Sequence, residues 1–221
     1  MLEIGIFSFP PKPWGHLMTQ RPTRAEIDLV ALRHNFDQVR RQVGGQQDVL
    51  AVVKADAYGH GAVAVARTLE AAGAAAFAVA LVEEGVALRR AGLQRPILVF
   101  GAILPGQEAL LFDFELTPYL FDLETARRLD QAARERGRML AVQLKIDSGM
   151  GRIGVLPRDL GVFLAELKTL AGLRLEGVMS HLALADESQS PLNAEQQQVF
   201  RSAVEQVRQA GFAPRWVHLS N

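Results

Sequence analysis

The 221-residue chain contains no cysteine. Disulfide staples, thiolate metal sites and cysteine nucleophiles are thereby excluded. It also lacks a charge excess, since 24 Lys and Arg stand against 24 Asp and Glu. No global field draws it to nucleic acid or to an anionic membrane. The most apolar stretch, residues 71–82, is too short to span a bilayer and is interrupted by Gly73. The first twenty residues, MLEIGIFSFPPKPWGHLMTQ, lack the cationic start, apolar core and cleavage site of a secretory leader. They read as a loosely ordered, proline-rich extension, or the product of an upstream start codon, ahead of a domain over 21–221, and a cytoplasmic protein is expected. Tyrosine is scarce, with only Tyr58 and Tyr119. Core material is not: 49% of residues are hydrophobic, an ordinary globular share.

From Val49 onward, short apolar runs alternate with helical patterns. Strands are expected over Val49–Lys54, Ala76–Leu81, Pro96–Phe100, Thr117–Leu120, Leu140–Ile146, Leu175–Ser180 and Arg215–Leu219. Between them Ala62, Val65, Ala66 and Leu69 recur at helical spacing, as do Leu160, Phe163, Leu164 and Leu167. Asp122 and Gly137 bracket a further helix. After Pro191, Asn193 reads as an N-cap with Gln196 three residues on. Phe200, Ala203, Val204 and Val207 form the stripe of that helix, and Gly211 ends it. Strands alternating with helices through short connections imply parallel β/α units.

Such units build either an open doubly wound sheet or a closed barrel. The polar residues favour the barrel. Lys54, Lys145 with Asp147, and His181 each stand at or just beyond the C-terminal end of an apolar strand. Barrel enzymes build their sites on that face, from many strands, whereas an open sheet binds at a single crevice. The expected class is α/β, a (β/α)₈ TIM-type barrel truncated before its last strand, because seven strands are counted. Ahead of it, Arg24, Glu26 and Asp28 alternate with Ala25, Ile27 and Leu29. This segment is expected to be a strand with one wet face, outside the barrel. Leu29, Leu32, Phe36, Val39 and Val43 then form a helix stripe closed by Gly44.

Four stretches carry chemistry. In AVVKADAYGHG, Lys54 ends a buried run and is followed by Tyr58, Gly59 and Gly61. A lysine there is either shed into water or held in a barrel mouth for imine chemistry. The glycines leave backbone N–H groups open to an anion such as phosphate. In LKIDSGMGRIGV, Gly149, Gly151 and Gly154 spell the dinucleotide-binding pattern G-x-G-x-x-G. That pattern belongs on the first strand of a βαβ unit with an acid ending the next strand. Here it follows the fifth strand, and Glu176 sits near the start of the next. A turn that aims Arg152 back at the mouth fits better, beside the plainer reading of a solvated arginine. His181, in GVMSHLALADE, is either a rim residue or a ring that stacks on a flat cofactor. His218 and Asn221, in the terminal HLSN, say little alone.

Together RAEIDLVALRHN, VVKADAYGHG, LKIDSGMGRIGV, GVMSHLALADE and HLSN resemble alanine racemase of the pyridoxal 5′-phosphate (PLP) barrel type, in order and rough spacing over residues 21–221. The resemblance implies interconversion of L- and D-alanine for the bacterial cell wall. It makes Lys54 the lysine that holds PLP and then acts as base on one face of the substrate. Tyr58 would bind the cofactor phosphate, and Arg152 would stand by the phenolic oxygen and the substrate carboxylate. Lys145 matches a lysine often carbamylated, His181 the imidazole beside the pyridine ring, His218 a residue behind it, and Asn221 the start of a phosphate loop. Ser220 stands where the family usually has alanine. The second base is a tyrosine from a C-terminal β-domain of the other subunit of a homodimer. Tyr58 is already assigned and Tyr119 lies in a different context. The arginine that contacts the pyridine nitrogen should follow Asn221. The 221 residues alone are therefore expected to racemise weakly or not at all. The alternatives are a single-barrel PLP-binding protein without racemase activity, or a piece that only binds cofactor or serves assembly.

Overall fold

Seven short runs rich in Val, Leu, Ile and Ala pair side by side, all parallel, in sequence order. The structure is a computed structural model that describes residues 25–220. The N-terminal extension 1–20, Arg24 and Asn221 lie outside the described residues. The strands are β1 (Leu50–Val52), β2 (Ala76–Val79), β3 (Ile97–Val99), β4 (Leu116–Leu120), β5 (Leu140–Lys145), β6 (Leu173–His181) and β7 (Trp216–Ser220). Every residue of β2, β3 and β4 is buried, as expected of parallel strands covered on both faces. Each of the seven expected strands is present, with ends shifted by a few residues.

Helices fill the connections: α1 (Leu29–Val43), α2 (Lys54–Gly59), α3 (Ala62–Ala71), α4 (Val82–Arg90), α5 (Glu108–Asp113), α6 (Leu123–Glu135), α7 (Leu160–Leu167) and α8 (Pro191–Gln209). Their apolar stripes pack on the outer face of the sheet. Val65, Ala66, Leu69, Leu160, Phe163, Leu164, Phe200 and Val204 bury there with Phe77, Val79, Ile97, Val99, Val142 and Leu144. Alternate strand residues face the other way. Ala76, Ala78, Leu98, Tyr119 and Met179 form a separate inner cluster.

The sheet curls so that its inner face closes on itself. In a flat sheet, β4 and β7 would lie about 14 Å apart, three strand spacings. Yet the rings of Tyr119 on β4 and His218 on β7 have centroids 6.3 Å apart. Strands β1 and β7 are the two ends of the array. Among the described residues, no helix is long and apolar enough to cross a membrane.

Two local expectations are corrected. Ala25–Asp28 is irregular, not a wet-faced strand, because the Asp28 carboxylate caps α1, accepting from the N–H groups of Val30 and Ala31 at 2.8 and 3.0 Å. A short acceptor beside free helix N–H groups outcompetes sheet pairing. Likewise Asn193 does not cap α8. Ser190 stands at the N-cap position and Pro191 opens the helix, where its missing N–H costs nothing. Asn193 instead donates from Nδ2 to the carbonyls of Leu184 and Glu187, both at 2.9 Å, stapling the preceding loop to the helix.

The loop after β5 is tight. Gly154 has φ of +143°, and a Cβ there would lie 2.5 Å from the Asp147 nitrogen and 2.8 Å from the Ile146 carbonyl carbon. Gly154→Ala is expected to destabilise the fold by about 2–4 kcal/mol. Gly161→Ala is the control. Gly161 lies in α7 with open space around it, so alanine there should be neutral or stabilising by up to about 1 kcal/mol. Urea denaturation of both variants checks the contrast, and equal stabilities would contradict it.

Candidate active site

The segment after β1 is a single left-handed turn. Ala55, Asp56, Ala57 and Tyr58 all have φ between 50° and 55° with ψ between 37° and 52°. For residues bearing a Cβ this conformation costs roughly 1–2 kcal/mol each, so the turn persists only if its surroundings hold it. It is closed internally by Gly61 N–H on the Asp56 carbonyl at 2.9 Å and by the Ala62 N–H on Asp56 Oδ1 at 2.7 Å. Gly61, with φ of +86°, joins the turn to α3. Lys54 begins the turn, two residues beyond β1, and its amine lies 5.8 Å from the Tyr58 ring centroid. Tyr58 is largely exposed.

Across the curled sheet, Lys145 is the last residue of β5 and is only 5% exposed. Burial lowers its ammonium to about 8, helped by the positive charges of Arg152 and Lys54 and opposed by Asp147. Roughly a tenth of such an amine is neutral at pH 7, against well under one part in a thousand for an ordinary lysine. Among the described residues, Asp147 is the one carboxylate acting on it. Its Oδ1 is already engaged by the N–H groups of Gly149 and Gly151, both at 3.0 Å, which fold the loop that carries Arg152. Arg152 is exposed on that loop. Three cations therefore converge with almost no anion among them.

His181 ends β6. Burial lowers its imidazolium, and the charges of Lys145, Arg152 and Lys54 lower it further, so the ring is neutral at neutral pH. Behind it lies a polar joint that periodicity alone did not expose. Gln196, fully buried in α8, accepts the Ala183 N–H at 2.9 Å and donates to the His181 carbonyl at 3.1 Å. Beside it, the hydroxyls of Ser148 and Ser180 meet at 2.7 Å, and Ser180 donates to the Ile146 carbonyl. A glutamine four residues before Phe200, in phase with the apolar stripe, was the available signal.

His218 lies one row deeper, level with Met179 and Lys145 across β6 and β5. Its Nε2–H donates to Gln143 Oε1 at 2.7 Å, which leaves Nδ1 as an acceptor. Gln143 reaches it over Gly177, where a Cβ would stand 2.7 Å from the Gln143 amide carbon. Tyr119, 1% exposed, finds no partner for its hydroxyl among the described residues, and burial pushes its phenol up. It is not a base. The structure thus brings Lys54, Lys145, Arg152 and His181 to one rim, with Tyr58 beside Lys54 and His218 beneath. Asn221 lies outside the described residues.

Burial holds the His218 imidazolium down at about 4, against 6.5 in the unfolded chain. The unfolded state therefore binds more protons between those values. Stability is intact above about pH 6.5 and falls as pH drops toward 4, by no more than about 3 kcal/mol. In His218→Gln that part of the slope should vanish from urea midpoints measured against pH. An unchanged slope would assign it to other groups.

With this geometry in hand, similarity to known proteins is direct. Residues 27–221 match the family profile described as alanine racemase, N-terminal domain. Alanine racemase of Geobacter sulfurreducens is 47% identical over 210 residues, covering 92% of this chain and 54% of that protein. The alanine racemase structure from Clostridium difficile superposes with a TM-score of 0.87 at 35% identity, covering 91% of this chain and 56% of that one. That from Bacillus anthracis, with bound L-Ala-P, gives 0.80 at 33% identity, covering 87% and 50%. The chain spans about half the length of the relatives it matches.

Proposed function

The chain belongs to the alanine racemase N-terminal domain family, and from that premise we propose that it is the PLP-binding barrel part of an enzyme that interconverts L- and D-alanine. The seven curled strands are read as most of an eight-stranded barrel. The working unit is read as a cytoplasmic homodimer whose other subunit supplies the second base. The observation that carries the proposal is the cluster of Lys54, Lys145 and Arg152, in which burial, with the repulsion of the other two cations added, lowers Lys145 to about 8. Such a rim is electrostatically incomplete. It suits ligands that bring phosphate, phenolate and carboxylate charge, as PLP and alanine do, and the Bacillus anthracis relative carries L-Ala-P.

When bound, PLP supplies the electron sink that makes the alanine Cα proton removable. The chain's own residues supply the rest. Lys54 holds the cofactor and moves a proton at Cα on one face. Tyr58 and Asn221 bind phosphate, and Arg152 orients the substrate carboxylate. His181, kept neutral, packs beside the ring without adding positive charge, and His218 offers Nδ1 from below. Lys145 combines its neutral amine with CO₂, forming an N–C bond and releasing a proton. The resulting carbamate turns repulsion against Arg152 into a charge-assisted pair.

Two experiments test this. Borohydride treatment of protein incubated with PLP should leave a pyridoxyl group on Lys54, seen by peptide mass spectrometry. In a chain extended through the rest of its relatives' length, Lys54→Ala should cost D-alanine formation at least about a hundredfold. A label on Lys145 with Lys54 free would overturn the assignment. Stoichiometric PLP with no racemisation by the extended chain would favour a cofactor-binding protein instead. Separately, ¹³C-bicarbonate should give a carbamate carbon resonance that is absent from Lys145→Ala. An identical resonance in both would remove Lys145 from that role.

A further inference from the structure

The left-handed turn that presents Lys54 closes on itself through Asp56 and His60, but those bonds lie within the turn. The Ala57 N–H on the Val53 carbonyl at 3.0 Å and the burial of Ala57 anchor its base, and a side chain from the next unit adds a tie to the end of the neighbouring strand. Glu84 of α4 accepts the Ala55 N–H on Oε1 at 2.6 Å. Its Oε2 accepts the N–H groups of Ala80 and Leu81, at 2.8 and 3.0 Å, just beyond β2. One carboxylate thus joins the residue after Lys54 to the end of the neighbouring strand. Its three N–H partners are fixed backbone groups, and Glu84 itself is half-buried. Hydrogen bonds to an ionised acceptor are about twice as strong as neutral ones.

The two oxygens do different work. The bond to Leu81 N–H is ordinary helix capping, because Glu84 is the third residue of α4 and Leu81 stands at its N-cap. The bond to Ala55 is not. Capping α4 does not require reaching into another β/α unit, 29 residues away in sequence. Nor does it require landing on the first residue of the turn with positive φ. Were that bond lost, Ala55 could relax to an ordinary conformation, and the backbone just after Lys54 would turn with it. The amine would then leave the rim it shares with Lys145 and Arg152.

We propose that Glu84 is a positioning residue for Lys54. It holds the left-handed turn through the Ala55 N–H, and so sets where the amine stands relative to the other rim cations. The inference rests on the reading of Lys54 as the PLP lysine only for its effect on labelling. Its structural core, that Glu84 fixes the turn, stands apart from that reading.

Glu84→Asp separates the two roles. A shorter carboxylate at the third helical position still caps α4, but falls about one C–C bond short of Ala55. Three measurements on the protein decide the matter. Amide hydrogen exchange at Ala55 should accelerate at least about tenfold while exchange in α4 stays near wild type. Acetylation of Lys54 by acetic anhydride, referenced to the exposed Lys168 in the same sample, should change by about threefold or more. Pyridoxylation of Lys54 by PLP and borohydride should fall about tenfold or more. Glu84→Gln keeps the length and one acceptor oxygen, so it should fall between wild type and Glu84→Asp. It is read in the same way if the aspartate variant does not fold.

Wild-type exchange at Ala55 and an unchanged Lys54 to Lys168 ratio in these variants would overturn the inference, leaving Glu84 a helix cap. If wild-type protein takes no pyridoxyl label on Lys54 while the first two measurements respond as stated, Glu84 keeps its role and the cofactor reading fails instead.

Discussion

In a parallel sheet every strand ends on the same edge, so residues far apart in sequence can meet only if that edge is brought round on itself. Curling does this here. It places Lys54 after β1 within electrostatic reach of Lys145 at the end of β5, and both near His181 at the end of β6. The curled sheet buries side chains on both faces. The outer face accepts helices through Val, Leu and Phe side chains. The inner face is filled by Ala76, Ala78, Leu98, Tyr119 and Met179.

Bringing two more cations toward the buried Lys145 creates a debt that nothing in the described chain settles. Asp147 is the natural counter-ion, but its Oδ1 is occupied with loop N–H groups. A site left in this state binds anions because its own charges are unbalanced, and it keeps a lysine amine partly neutral. Burial, seconded by the same field, lowers the His181 imidazolium. Deeper in the lumen, burial alone acts, on His218 and on Tyr119. Burial is the leading cause at both depths: at the rim the neighbouring cations add to it, and beneath the rim it acts alone.

The rim also needs backbone held in places the chain would not choose. Four consecutive residues in left-handed conformation, and a glycine loop folded onto Asp147, are both local departures from low-energy geometry. Glu84 from α4 ties the first to the end of β2, and the second closes on Asp147, with Gln196 Nε2 of α8 3.5 Å from Ser148 Oγ. These residues touch no proposed ligand. They carry the precision of the groups that do.

The strands and most helices could be read from the chain because local composition decides them. An apolar run of β-branched residues has one favourable use in a β/α protein, and Asp122 can cap the helix it precedes wherever that helix is packed. The candidate residues at strand ends were legible for a related reason: a lysine or histidine that closes a buried run must emerge at one edge of the sheet. Resemblance in the stretches around Lys54 and Arg152 then named the chemistry. Other features were out of reach. Whether Asp28 would pair in a strand or cap a helix, and whether Asn193 or Ser190 would start α8, turned on competition between local bonds that composition leaves balanced. The left-handed turn, the tie from Glu84 to Ala55, the bond from His218 to Gln143 and the buried joint at Gln196 join residues with no periodic relation in sequence. Only the curled sheet brings such partners within hydrogen-bond distance. The displacement of Lys145 from an ordinary lysine is of the same kind, because desolvation and repulsion exist only once the fold has gathered the charges and excluded the water.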